Sequence, residues 1–161
     1  MAHLILVRHA KAIDRMDADD DFERGLTPRG REDAARAGVS IARSGLRPDL
    51  ALVSPAQRTL QTHAAMQPHV GDPPRESPMA LYHASPDLLR RAVTEALTHA
   101  QCILLVGHNP GIGSLALDLA FQADAGTQMP DGYPTASATV FKLPDDSLSR
   151  VELVSVFDPK Q

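Results

Sequence analysis

Short continuous runs of apolar residues alternate along the chain with longer segments in which apolar residues recur every three or four positions. The runs at residues 4–7, 49–53 and 101–106 are typical of strands buried on both faces, as in a parallel sheet. A weaker run at 79–82 predicts one more short strand. The segments between the runs have the period of amphipathic helices. The pattern therefore predicts strands and helices in alternation.

Four predicted helices begin in the same way, with a capping residue followed by proline. A side-chain oxygen of Ser, Thr or Asn accepts a hydrogen bond from a free N–H of the first turn, and proline at the first position has no N–H that needs a partner. Ser54 is followed by Gln57 at the spacing of a capping box. The four starts are Thr27-Pro28, Ser54-Pro55, Ser85-Pro86 and Asn109-Pro110, and the predicted helices cover residues 28–44, 55–68, 86–97 and 110–121.

The C-terminal part of the chain changes to strand-forming sequence. Residues 136–143 and 150–157 are rich in strand formers and are separated by turn-forming residues 144–147, which predicts a hairpin at one edge of the sheet. The chain has no internal repeat and no linker, so one domain over residues 1–161 is expected. The predicted fold class is α/β, with a mostly parallel central sheet flanked by helices.

The composition narrows the classes of function. The net charge of −4 argues against a general nucleic-acid binder, which would carry a basic stripe. Cys102 is the only cysteine and lies within an apolar run, so we expect an inert buried thiol. No apolar run is long enough to span a membrane, and no basic segment precedes a long apolar segment near the N-terminus. We therefore expect a cytoplasmic protein that has neither a nucleic-acid nor a membrane partner.

Two sets of polar residues are expected at the surface. The acidic run from Asp17 to Glu23 is predicted to be a solvated loop, with a cation site and a mobile lid over a cleft as alternatives. Lys11 and Arg24 are predicted to be solvated charges, with attraction of an anionic substrate as the alternative. Surface or element-end positions are also predicted for His3, His63, His69 and His99.

The candidate chemistry follows the ends of three predicted strands. The first strand leads into Arg8 and His9, the second into a helix start that carries Arg58, and the strand at 101–106 into His108. The carboxyl ends of parallel strands meet at one sheet edge, so these side chains are expected to converge beside helix N-termini. Arginine and helix N-termini both favour phosphate. The sequence therefore predicts a site for a phosphoryl group.

The segments Arg8-His9-Ala10, Ser54 to Thr62 and Gly107 to Pro110 resemble the three motifs of the histidine phosphatase superfamily. The short chain, the segment from Arg24 to Gly30 and the segment from Leu81 to Ala84 resemble its SixA-like branch of phosphohistidine phosphatases most. The resemblance extends from residue 4 to about residue 143 and implies the phosphoglycerate-mutase-like fold. Each motif alone is weak, whereas three in order at predicted strand ends are specific.

The resemblance also implies a role for each matched residue. His9 would be the nucleophile, neutral when it attacks, and would carry the phosphoryl group as phosphohistidine. Arg8 and Arg58 would hold the phosphate oxygens, and His108 would donate to them as an imidazolium, with Asn109 beside it in the substrate-binding set. The resemblance implies no metal ion and no cofactor, since the cations are side chains.

One departure from the family pattern bears on the substrate. Larger members place a carboxylic acid after the third strand, whereas residues 79–87 here have no Glu, and Glu76, His83 and Asp87 are the candidate substitutes. An alkoxide needs a proton in order to leave, whereas imidazole is protonated near neutral pH. The sequence therefore favours a phosphohistidine-bearing protein as the substrate. A small phosphate ester, or phosphate recognition without turnover, are the alternatives.

Overall fold

Six strands form one sheet in the computed structural model, which describes residues 1–161. The strands are β1 (Ala2–Arg8), β2 (Leu50–Val53), β3 (Arg75–Glu76), β4 (Cys102–Gly107), β5 (Ala138–Leu143) and β6 (Glu152–Phe157). Their order across the sheet is β3-β2-β4-β1-β5-β6. The first four in this order are parallel, β5 pairs antiparallel with β1, and β6 pairs antiparallel with β5. The predicted mixed α/β sheet with a C-terminal hairpin at one edge is confirmed.

Four helices cover the two faces of the sheet. They are α1 (Pro28–Arg43), α2 (Gln57–Val70), α3 (Pro86–Ala96) and α4 (Gly111–Gln122). Helices α1 and α2 supply one hydrophobic core, and α3 and α4 supply the other. In β1, Leu4 and Leu6 face the second core, while Ile5 and Val7 face the first. Residues Leu4 to Val7 of this strand are all apolar because successive side chains enter opposite cores.

Two of the predicted proline caps form as expected. The Thr27 oxygen accepts from the Gly30 N–H, and the Ser85 oxygen accepts from the Leu88 N–H. The prediction for Ser54 is wrong, since α2 begins two residues after Pro55 and no side chain caps it. The Gln57 N–H donates instead to the Phe22 carbonyl, at 3.0 Å. A carbonyl from a distant loop therefore replaces the local cap and leaves Ser54 for another contact.

The structure also tests the predictions made for the third strand, for His63 and for Cys102. The short third strand lies at Arg75–Glu76, and the segment predicted as a strand, Met79–Leu81, is a 3₁₀ turn. His63 is fully buried within α2, and neither of its ring nitrogens has a hydrogen-bond partner, so its predicted surface position is wrong. Cys102 is half-buried, and burial raises the pKa of its thiol to about 11, which suits an inert thiol.

None of the helices has both the length and the apolar character that crossing a membrane requires.

Candidate functional site

The three strand ends that carry candidate residues are neighbours in the sheet. β4 lies between β1 and β2, and all three are parallel. The His9 N–H donates to the Gly107 carbonyl at 3.0 Å, and the Ser54 N–H donates to the Val106 carbonyl at 3.1 Å. These bonds continue the ladder one residue past each strand. The segments after the three strands therefore meet at one sheet edge, as predicted.

His9 has the geometry of a neutral nucleophile. Its Nδ1 lies 2.8 Å from the carbonyl oxygen of Ala10, and a carbonyl only accepts, so Nδ1 carries the proton and the lone pair is on Nε2. Burial is the main reason that the pKa of His9 is lowered to about 4, and the charges of Arg58 and Arg8 lower it further. The ring is therefore neutral at pH 7, with a free lone pair.

The same strand end also fixes the backbone beside His9. The Ala10 N–H donates to the Thr62 hydroxyl at 2.9 Å, and that hydroxyl donates to the Arg58 carbonyl at 2.7 Å. Thr62 thus joins the segment after β1 to the first turns of α2. This contact fixes the backbone next to His9 relative to Arg58.

His108 is packed against His9, with ring centroids 5.4 Å apart. Its Nε2 is 2.7 Å from the Ser54 hydroxyl, and its Nδ1 is buried without a partner. Burial, followed by the effects of His9 and Arg58, lowers the pKa of His108 to about 3. Without a bound anion His108 is therefore neutral, because burial outweighs the favourable effect of the Asp21 carboxylate. The imidazolium expected when phosphate is bound stays a prediction.

The two arginines keep donors unpaired within the site. Arg58 is 3% exposed and is held on its outer side by Asp21, with Nη1 2.8 Å from the Asp21 carbonyl and Nη2 3.0 Å from Oδ2. Arg8 donates from Nη1 to the Tyr133 carbonyl at 3.1 Å. The Nε atoms of both arginines are buried and have no partner. A buried donor without a partner is costly, so an oxygen-rich anion suits this site.

Asp21 belongs to the acidic run that the sequence predicts to be a solvated loop, and for this residue the prediction is wrong. Its carboxylate accepts from Arg58 and from the Tyr82 hydroxyl, and its Oδ1 lies 3.0 Å from Arg24. The Tyr82 hydrogen bond and these guanidinium groups hold the pKa of Asp21 well below its usual value. Arg24 is half-buried, and its charge contributes to the lowered pKa of His9.

The three candidate acids lie in different surroundings. Glu76 is exposed in β3 and lines a cavity with Leu81 and Glu95, away from the residues described above. Asp87 is exposed in the first turn of α3. His83 alone joins the site, with its ring centroid 5.2 Å from that of His108. The sequence offered three candidates, and the fold brings one of them to the site.

Asn109 connects the end of β4 to its surroundings. Its Nδ2 donates to the carbonyls of Gly132 at 2.9 Å and Tyr133 at 3.2 Å, and its Oδ1 accepts from the Gly113 N–H at 3.0 Å. The amide is therefore committed to the protein. The predicted Asn109 cap is wrong, since α4 begins at Gly111 without a side-chain cap, although the Asn109 oxygen still accepts from the first turn. A cavity of about 250 Å³ lies beside it, lined in part by Leu117 and Met129. Its binding to a substrate stays a prediction.

The sequence alone does not identify four residues that contribute to the site. Asp21 has acidic neighbours on both sides, and only the path of the loop distinguishes it from them. Ser54 presents itself as a helix cap, and the backbone carbonyl of Tyr133 carries no sequence signal. The ring of Tyr82 lies 5.6 Å from that of His108, although the segment around it is predicted to be a strand.

We expect the free energy of unfolding to fall as the pH is lowered below 6.5. An unfolded chain protonates His9 and His108 near pH 6.5, whereas the folded chain resists this down to about pH 4 and about pH 3. In that window the unfolded state binds more protons, so each histidine lowers the stability by up to about 1.4 kcal/mol per pH unit. Urea titrations at pH 7 and pH 5 measure the difference. The difference in unfolding free energy between the two pH values should be smaller in the variant His108→Asn. An equal difference would contradict the lowered pKa of His108.

The chain is similar to proteins of known family over nearly its whole length. Residues 4–80 match the sequence profile of the histidine phosphatase superfamily (branch 1). The structure of SixA from Agrobacterium tumefaciens, assigned as a phosphohistidine phosphatase, is 28% identical, with 98% of this chain and 99% of that chain covered and a TM-score of 0.84. SixA from Nakamurella multipartitia is 27% identical, with 98% and 96% covered and a TM-score of 0.80. The uncharacterized protein Rv1276c of Mycobacterium tuberculosis is 30% identical over 142 residues, which are 85% of this chain and 87% of that protein.

Proposed function

Because the chain belongs to the histidine phosphatase superfamily and to its SixA-like branch, we propose that it removes phosphate from phosphohistidine on a protein, through an intermediate on His9. The family and its SixA relatives make the chain a phosphatase. The observation that carries the proposal is the tautomer of His9, whose Nδ1 is tied to the Ala10 carbonyl at 2.8 Å. This contact leaves the Nε2 lone pair for attack on phosphorus.

In the first half of the proposed reaction, Nε2 of His9 forms a bond to phosphorus while the bond from phosphorus to the substrate nitrogen breaks. The substrate ring, protonated on its other nitrogen, keeps the electron pair of that bond and leaves as neutral imidazole. Arg8 and Arg58 hold the oxygens of the transferring group, and their unpartnered Nε atoms support this assignment. In the second half, water attacks the phosphorus and releases inorganic phosphate, which restores His9.

His108 is proposed to become a donor only when the substrate binds. The negative charge of a phosphoryl group favours the protonated imidazole, which the empty site disfavours. Nδ1 of His108 has no partner within the protein, so this nitrogen is the proposed donor to a phosphoryl oxygen. Substrate binding should therefore be accompanied by proton uptake.

The carboxyl groups near the site support a nitrogen-linked phosphate. Asp21 is the carboxyl group in contact with Arg58, and its lowered pKa keeps it ionised, so it has no proton to give. Glu76 lines a separate cavity and Asp87 is exposed, and neither forms a hydrogen bond or ion pair with a residue of the site. An alkoxide leaving group gains about 10²–10⁴ in rate from a positioned acid. His83 does reach the site, but its Nε2 lies 3.3 Å from the Asp21 carboxylate, so the neutral ring presents a lone pair there and no acid proton. An imidazole leaves without an acid, so phosphohistidine is the substrate that the site favours.

The proposal predicts a strong preference between two kinds of substrate. With excess chelator present, kcat/KM for a protein that carries phosphohistidine should exceed kcat/KM for glycerol phosphate by about 10²-fold or more, because only the second needs an acid. Release of inorganic phosphate measures both reactions. Equal values would favour the alternative of a small-ester phosphatase. Loss of all activity in chelator would contradict a mechanism based on side chains, and binding without turnover would favour a recognition module.

A further inference from the structure

We infer that His83, oriented by the Asp21 carboxylate, is the general base that activates the water molecule attacking the phosphorylated His9. The inference rests on the proposed function, because it assigns a residue to the second half of that reaction. It also gives a role to a carboxylate of the acidic run and to the histidine that replaces the family's acid segment.

The location of His83 suits contact with water at the reacting phosphorus. Its ring centroid is 5.2 Å from that of His108, and the His108 centroid is 5.4 Å from that of His9. The ring packs on Tyr82 with centroids 4.1 Å apart, while 54% of the side chain remains exposed. His83 thus contacts the ring of His108, which in turn packs on His9, and it also faces solvent. This position lets it take a proton at the site and release it to bulk water.

The contact with Asp21 selects the tautomer that a base needs. Nε2 of His83 lies 3.3 Å from Oδ2 of Asp21, and an ionised carboxylate only accepts, so the neutral ring carries its proton on Nε2. The lone pair is then on Nδ1, for which the structure shows no protein partner. A base whose second nitrogen is held by a carboxylate is the arrangement that stabilises the imidazolium formed on proton transfer.

Asp21 itself is held firmly enough to orient a partner. Its Oδ2 accepts from Arg58 and from Tyr82, and Oδ1 accepts from Arg24 at 3.0 Å. Phe22, the next residue, packs edge-on against the Tyr82 ring with centroids 5.1 Å apart. The backbone of His83 has φ +57°, in the left-handed region, which histidine adopts more readily than most residues. The loop and the turn are therefore packed together through Tyr82.

The proton and electron count of the step closes without a further reactant. The water oxygen forms a bond to phosphorus with one of its lone pairs, and the bond from phosphorus to Nε2 of His9 breaks, with its electron pair returning to that nitrogen. Nδ1 of His83 takes the proton that the water loses. The imidazolium then passes this proton to solvent, and His9 is again the neutral nucleophile.

The test separates the two halves of the reaction with p-nitrophenyl phosphate, whose release of nitrophenolate reports phosphorylation of His9. The variant His83→Asn keeps a residue that tolerates the left-handed backbone but cannot take the proton. We expect its first-turnover burst to stay within about threefold of the wild-type rate, while steady-state release falls by about 10², the lower range for a general base. Phosphorylated His9 should accumulate in the variant and should be visible by intact-protein mass.

The exposed His99 provides the matched control, and His99→Asn should leave both phases unchanged. A merely structural role for His83 would slow burst and steady state together, and this result would overturn the inference. Unchanged kinetics in both phases would also overturn it. If the wild-type protein neither turns over p-nitrophenyl phosphate nor becomes phosphorylated, the proposed function fails. If the wild-type protein does both and His83→Asn has normal kinetics, only the inference about His83 is overturned.

Discussion

Replacing His9 by alanine is expected to lower kcat by at least about 10⁴-fold, in the range that removal of a nucleophile costs other covalent enzymes. Alanine has no lone pair for phosphorus, and the other histidine of the pair, His108, has its Nε2 engaged with Ser54 at 2.7 Å. The measurement is release of phosphate from a phosphohistidine-bearing protein. The variant should also fail to form any phosphorylated protein in rapid-quench samples.

Folding and binding controls make this result specific. His9→Ala should keep its affinity for inorganic phosphate within about tenfold, because the ion pairs to Arg8 and Arg58 that supply most binding remain. Isothermal titration calorimetry measures this affinity, and His99→Ala should behave as wild type in every assay. Turnover by His9→Ala within tenfold of wild type would exclude the covalent intermediate and, with it, the proposed mechanism.

Replacing Arg58 by lysine is expected to lower kcat/KM by about 10³-fold, at the low end of the range for arginines that neutralise a transferring phosphoryl group. The change keeps the charge but removes the fork. Arg58 uses two nitrogens on the carbonyl and carboxylate of Asp21 and still has Nε for the phosphate. A lysine ammonium is a compact point charge, so it does not bind Asp21 and the phosphate at the same time in this geometry.

Two further variants show which side of Arg58 matters. Arg91 is exposed on α3, and Arg91→Lys should leave kcat/KM unchanged. Asp21→Ala releases the outer side of the guanidinium and leaves the phosphate side intact, so its loss of phosphorylation rate should be smaller than that of Arg58→Lys. A loss of equal size in Asp21→Ala would mean that Arg58 acts only by anchoring the loop, contrary to the proposed contact with phosphate.

The two arginines and two histidines of the site lie close together but differ in the charge that the site favours on them. Two guanidinium groups favour an anion, while burial and the charge of Arg58 lower the pKa values of His9 and His108 and keep both rings neutral. The phosphoryl group supplies the missing negative charge. The proposed function therefore requires the protonation of His108 to change as the substrate binds.

Much of the fold is readable from the chain alone because local patterns and long-range packing agree. The run from Leu4 to Val7 is apolar at every position, since successive side chains enter the two cores, and this predicts a central strand. Thr27 and Ser85 cap their helices as local spacing predicts. Ser54 fails the same rule because His108, distant in sequence, takes its hydroxyl.

The sequence by itself determines that four side chains are neighbours, because each lies at or shortly after the end of a strand and parallel strands end at one sheet edge. These residues are Arg8, His9, Arg58 and His108. The tertiary structure alone decided what surrounds them. Asp21 differs from Asp19 and Asp20 only in its place along a loop that folds back onto Arg58. Likewise, His83, rather than Glu76 or Asp87, reaches the site because a turn before α3 carries it there. Periodicity and capping are local properties, whereas these contacts join residues more than twenty positions apart, and only packing decides which of them form.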